Sequence, residues 1–145
     1  MTPGLPPIVK LASRLLVDIE RAVRGFPRYH RYAIGADLRE DAREVQRAAR
    51  RAWRDRPRQL ARVNQLAKTI DELKDSLQLG KEVEAFRSFG EFEALARVAA
   101  ELGRQCGGWR RQLRSKSQNA RDICGPPAQR AQILSARTAS QGAHP

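Results

Sequence analysis

Ile34-Gly35-Ala36-Asp37-Leu38-Arg39-Glu40-Asp41-Ala42-Arg43-Glu44-Val45-Gln46-Arg47-Ala48-Ala49-Arg50-Arg51-Ala52-Trp53-Arg54 is the most informative stretch of the chain. At 100° per residue, Ile34, Leu38, Val45, Ala49 and Ala52 share one side of a helix. Arg39, Arg43, Arg47, Arg50 and Arg54 gather in a stripe about 80° wide on the other side. Glu40, Glu44 and Asp55 lie to one flank of that stripe. The spacing therefore predicts an amphipathic helix with an apolar seam turned inward and guanidinium groups turned outward.

Other helices flank this one. Ile8, Leu11, Leu15, Ile19 and Val23, with Leu16 beside them, recur at helical spacing, and Gly25-Phe26-Pro27 stops them. Arg28-Tyr29-His30-Arg31-Tyr32 reads as a connector. The second helix, the stretch quoted, runs to about Arg56, where Asp55-Arg56-Pro57 marks its end. A third helix carries Leu60, Val63, Leu66, Ala67, Ile70, Leu73 and Leu77 and fades near Gly80. Ser88-Phe89-Gly90-Glu91 has the form of a capping box, Ser88 accepting from a backbone N–H and Glu91 reaching back to the Ser88 N–H. A fourth helix follows with Phe92, Leu95, Ala96, Ala99, Leu102, Cys106, Trp109 and Leu113. No segment alternates with period two over a useful length. The expected fold is all-α, an antiparallel up-down four-helix bundle over residues 8–116. Residues 1–7 form an extended lead-in, and residues 117–145, rich in Ser, Gln, Ala, Gly and Pro, read as a disordered tail in which Ile133 and Leu134 could form a short helix on a partner.

Composition sets the class of partner. The chain has 145 residues, which suits one domain, and 41% hydrophobic with 30% charged residues reads as globular. The formal net charge is +12, a balance that favours RNA, DNA or another acidic partner. Lysines are few (Lys10, Lys68, Lys74, Lys81 and Lys116), so the charge is nearly all arginine; a GC-rich genome would also place Arg at solvated positions. Cys106 and Cys124 make neither a metal site nor a disulfide framework and read as reduced thiols in a cytosol, with a pairing between the two as the alternative. No run approaches the roughly 18 apolar residues of a membrane span, and the N-terminus lacks a signal-peptide pattern. The expected location is cytoplasmic.

Four features are candidate contact sites. The stripe Arg39, Arg43, Arg47, Arg50 and Arg54 repels itself, and a phosphate backbone would relieve the repulsion; a solvated face with flanking ion pairs is the bland alternative. Arg110, Arg111 and Arg114, with Lys116, form a second cluster, which the dipole of a helix C-terminus would also favour. Arg28 and Arg31, interleaved with Tyr29, His30 and Tyr32, could hold phosphates and stack bases, although aromatic residues between helices more often plug the end of a bundle. Gly103, Gly107 and Gly108, next to Trp109, each cost about 1 kcal/mol against Ala in a helix; they suggest a close approach by another backbone, within the chain or between subunits, unless the helix ends there. Catalysis is not expected. His30 and His144 are the only histidines, so neither a His metal cluster nor a nucleophile–His–acid set is in view. Asp71, Glu72 and Asp75 read as a solvated face or a site for a basic partner. No metal and no cofactor is expected.

Three motifs carry a family resemblance. Phe26-Pro27-Arg28-Tyr29-His30-Arg31-Tyr32-Ala33-Ile34-Gly35 resembles the segment that leads into the second helix of the accessory variability determinant proteins of diversity-generating retroelements. Leu73-Lys74-Asp75-Ser76-Leu77-Gln78-Leu79-Gly80-Lys81-Glu82 resembles their third helix. Ala100-Glu101-Leu102-Gly103-Arg104-Gln105-Cys106-Gly107-Gly108-Trp109 resembles their fourth, with Cys106 in place of the usual aliphatic residue. The resemblance covers about residues 8–116 and leaves the tail outside. It implies a four-helix bundle that assembles as a barrel-like homopentamer. It further implies binding of the retroelement reverse transcriptase and of template RNA or cDNA through a basic surface, in support of mutagenic retrohoming, with no chemistry of its own. A wider set of bundles, including those encoded by intervening sequences of 23S rRNA genes, shares the shape; there the implied role is structural, as a protein-interaction module.

Overall fold

The computed structural model of the protein describes residues 4–124. Among these residues there is no strand. Four long helices, α1 (Pro7–Arg24), α3 (Ile34–Arg54), α4 (Gln59–Glu82) and α5 (Phe89–Cys124), pack against each other, with a single-turn helix α2 (Arg28–Arg31) and a 3-10 turn (Arg56–Arg58) in two of the connections. The chain divides into two compact units, Met1–Arg110 and Arg111–Pro145. Of the second, the described part is the end of α5. No helix among the described residues is long and apolar enough to cross a membrane.

The apolar spacing read from the sequence is the spacing that is buried. Ile8, Leu15, Ile19 and Val23 of α1, Leu38, Val45, Ala49 and Ala52 of α3, Val63, Leu66, Ile70, Leu73 and Leu77 of α4, and Leu95, Ala99, Leu102 and Cys106 of α5 form the core. At about 25 cal/mol per Å² of apolar area, this burial is the main favourable term in folding. Polar pairs fix the neighbours. Gln46 donates to the Ser13 hydroxyl at 3.0 Å between α3 and α1, and the Ser76 hydroxyl donates to Asp41 between α4 and α3. The Cys106 thiol lies 3.6 Å from the Val63 carbonyl it donates to, between α5 and α4. One end is closed by phenylalanines. Phe26, 2% exposed, meets Phe86 edge to face at 5.0 Å, and Phe86 leads on to Phe92 at 5.7 Å.

Helix ends follow local chemistry. Pro7 opens α1, where a missing N–H is no loss. Arg28–Arg31 is not an open connector but one helical turn, begun by the Pro27 carbonyl, which accepts from His30 and Arg31 N–H at 2.9 and 3.0 Å. The third helix of the sequence reading ends close to Gly80, as its spacing predicts. It continues to Glu82 and closes in a Schellman motif: Ala85 N–H donates to Gly80 O at 2.9 Å and Glu84 N–H to Lys81 O at 3.0 Å. Glu84 takes the left-handed position, φ 58°, that glycine normally fills. Gly80 serves packing instead, since a Cβ there would sit 2.9 Å from the Phe86 ring. The capping box forms with one shifted bond. Glu91 N–H donates to Ser88 Oγ at 3.2 Å, whereas Glu91 Oε1 accepts from Arg87 N–H at 3.4 Å rather than from Ser88.

The last helix also differs from expectation. It neither stops at Gly107-Gly108 nor ends at residue 116, but runs to Cys124. Extending an existing helix needs no new nucleus, so Gln, Ala and Arg suffice after the apolar seam fades at Ser115. Residues 125–145, with Ile133 and Leu134, and residues 1–3 of the expected lead-in lie outside the described residues.

Candidate nucleic-acid interface

The arginine stripe of α3 is divided by its ion pairs. Near the N-terminal half, Glu20 of α1 reaches both Arg39, at 3.1 Å, and Arg43, at 3.4 Å. Arg39 Nε is buried and its angle to Glu20 is wrong for a hydrogen bond, so the attraction there is Coulombic. Arg47 Nη2 lies 2.6 Å from Glu40 and 3.0 Å from Glu44. Its hydrogen bonds to Glu40 and then Glu44 push the guanidinium further into its charged form. Arg39, Arg43 and Arg47 therefore do not stand as bare cations. Glu20 could not be assigned to this stripe from sequence, because it comes from another helix.

Beyond Arg47 the surface changes. Arg50, Arg51 and Arg54 end α3, and Arg56 and Arg58 occupy the 3-10 turn. Among the described residues none of these five makes an ion pair, and all but the half-buried Arg50 are exposed. Arg47, Arg50, Arg51, Arg54 and Asp55 line an open cleft of about 440 Å³. The corner is held from beneath. Arg62 Nε donates to Asp55 Oδ2 at 3.0 Å, and Gln59 Nε2 donates to the Ala52 carbonyl at 3.0 Å, capping the end of α3. Sequence reasoning placed Arg50 and Arg54 here but missed Arg51, Arg56 and Arg58. The density of arginines between positions 50 and 58 was a visible signal; a reading confined to one helical stripe passed over it.

The Arg28–Tyr32 segment separates into two roles. Arg31 turns inward, donating through Nη2 to the Arg24 and Phe26 carbonyls at 3.3 and 3.4 Å. It satisfies the carbonyl end of α1, which gives this side chain a structural role. Arg28 is exposed. The tyrosines do not plug the bundle, since Tyr29 is 83% and Tyr32 72% exposed; Phe26 and Phe86 do that work.

On α5, Arg110 is half-exposed and lines a groove of about 310 Å³ between α4 and α5 with Gly103, Gly107, Lys74 and Cys106. Arg111 and Arg114, in the second unit, are exposed. A Cβ on Gly103 would meet Lys74 Nζ at 2.7 Å, the end of a mobile side chain, so this glycine does not mark a close approach of two backbones within the chain. Gly108 and Trp109 are half-buried. Burial pushes the Cys106 thiol up, partly opposed by Arg110. Among the described residues no cluster of His, Cys, Asp and Glu is arranged to hold a metal ion. The chain matches no protein-family model, and no curated protein is significantly similar to it.

Proposed function

We propose that the protein is a non-catalytic nucleic-acid-binding bundle that sets its α3–α4 corner against a phosphate backbone. The observation that carries this reading is the corner itself. Arg50, Arg51 and Arg54 line one cleft with Asp55, whose carboxylate Arg62 already holds, and the exposed Arg56 and Arg58 follow in the next turn. Their repulsion is eased in part by the negative end of the α3 dipole, and a polyanion would ease the rest.

The resemblance of residues 8–116 to accessory variability determinants gives this contact a setting: template RNA or cDNA as ligand, a reverse transcriptase as protein partner, and mutagenic retrohoming as the process. A cytoplasmic location goes with that role. The register of the side-chain pairs supports an up-down antiparallel course. Ser13 and Glu20 of α1 meet Gln46 and Arg39 of α3, and Asp41 and Asp55 of α3 meet Ser76 and Arg62 of α4. The groove at Gly103 and Gly107 suits a protein contact, either the enzyme or another copy in a homopentamer, because Lys74 can swing out of it.

The test is binding to labelled duplex DNA and to single-stranded RNA across a salt series. Five phosphate contacts give a log–log slope of about −4.5 on duplex, or roughly a 500-fold loss between about 50 and 200 mM salt. A flat response overturns the reading. Gene context tests the setting: a neighbouring reverse transcriptase and template repeat support it, whereas a surrounding 23S rRNA gene favours the structural module instead.

A further inference from the structure

We propose that Tyr29 and Tyr32 form a second nucleic-acid subsite, separate from the arginine corner, that takes unpaired bases by stacking. Two large aromatic side chains stand 83% and 72% exposed on one short segment. Tyr29 lies within α2 and Tyr32 caps its C-terminal end, three positions further on. The turn is fixed rather than loose. Pro27 begins it, Arg31 ties it to the carbonyl end of α1, and the Tyr29 ring rests edge-on against His30 at 5.1 Å. Aromatic side chains carried on a turn already fixed lose little backbone freedom on binding, which suits them to a stacking platform.

The charge around the tyrosines selects the ligand. Residues 21–36 contain Arg21, Arg24, Arg28 and Arg31 and no carboxylate, while Glu20, just before them, lines one pocket with Arg21 and Arg24. Arg31 is used internally, but Arg21, Arg24 and Arg28 are exposed. Exposed aromatic faces on a segment rich in arginine match a single strand, whose bases offer open π-faces beside a line of phosphates. A duplex keeps those faces covered. The platform lies at the start of α3 and the corner at its end, and the 21 residues between place them about 30 Å apart. The two contacts are therefore independent, and this one stands on residues the corner does not use.

The experiment compares a single-stranded RNA of about 20 nucleotides with its duplex, using the full chain. Tyr29→Ala/Tyr32→Ala should lower single-strand affinity about tenfold or more and leave duplex affinity within about twofold, while Tyr29→Phe/Tyr32→Phe restores single-strand binding. Both side chains are exposed, so unchanged circular dichroism should accompany the loss. Undiminished single-strand binding by the alanine variant, as a protein-docking patch would give, overturns the proposal. So does an equal loss on both ligands. The corner is scored by a separate variant, Arg50→Glu/Arg51→Glu/Arg54→Glu, which should lose both ligands. If that variant binds fully while the tyrosine variant fails on single strands, the corner reading falls and the stacking subsite stands.

Discussion

Arg62 holds Asp55 across the α3–α4 turn at 3.0 Å, and Asp55 is the single carboxylate between Glu44 and Asp71. The pair stiffens the corner and also subtracts one charge from it. Asp55→Asn should therefore separate stability from binding. The pair is partly exposed, so the loss should be small, about 0.5 kcal/mol and a fall in Tm of a few degrees. Affinity for duplex DNA should rise at low salt, because one negative charge has left the contact surface. A matched loss of stability and affinity would show that the corner needs its brace more than its charge.

The divided stripe predicts unequal arginines. Arg50→Gln/Arg51→Gln/Arg54→Gln should reduce the salt slope on duplex DNA by about three, one for each contact removed. Arg39→Gln/Arg43→Gln should change it by less than about one, since Glu20 already occupies both side chains. Equal effects from the two variants would show that the intramolecular pairs open on binding.

Glycines of the bundle should divide by what a methyl group would strike. At Gly35 it would meet Val23 Cγ1 at 2.7 Å and the His30 carbonyl at 3.3 Å, inside a filled core. Gly35→Ala should cost about 1–3 kcal/mol in urea unfolding. At Gly103 it would meet only the movable end of Lys74. Gly103→Ala should then gain up to about 1 kcal/mol from helix propensity. If it also weakens self-association in sedimentation, the α4–α5 groove is a subunit contact.

Asp41 supplies a pH dependence. Burial raises its carboxyl above the ordinary range, the Ser76 hydrogen bond opposes the shift, and Glu72, Asp37 and Glu40 add to it. The folded state therefore holds this proton more tightly than the unfolded chain. Ionisation of Asp41 costs stability above its folded pKa, and the cost fades as pH falls through that value towards the unfolded one. Asp41→Asn should melt above the parent protein at about pH 7, and the gap should close by about pH 4. A gap that ignores pH would assign the effect to the Ser76 contact alone.

Much of the helical layout was legible because burial follows period. Leu38, Val45 and Ala52 were placed inward by spacing alone, and all three are buried. What periodicity could not give were features set by a second element. Glu20 reaches Arg39 and Arg43 only because α1 lies beside α3. Arg31 bonds the carbonyls of Arg24 and Phe26 only because the turn after Pro27 folds it back over the end of α1. Glu84 carried no sign of its left-handed backbone, because glutamate seldom adopts one.

The corner arginines all come from one contiguous stretch, positions 50 to 58. Neighbours along the chain stay near one another even after the fold is lost, so much of their mutual repulsion persists in the denatured ensemble and cancels from the folding equilibrium. A cationic surface gathered from remote segments would meet that repulsion for the first time upon folding. Local recruitment lets this bundle concentrate charge with little penalty to its own stability, and it leaves the surface tunable by substitutions within one short stretch of chain.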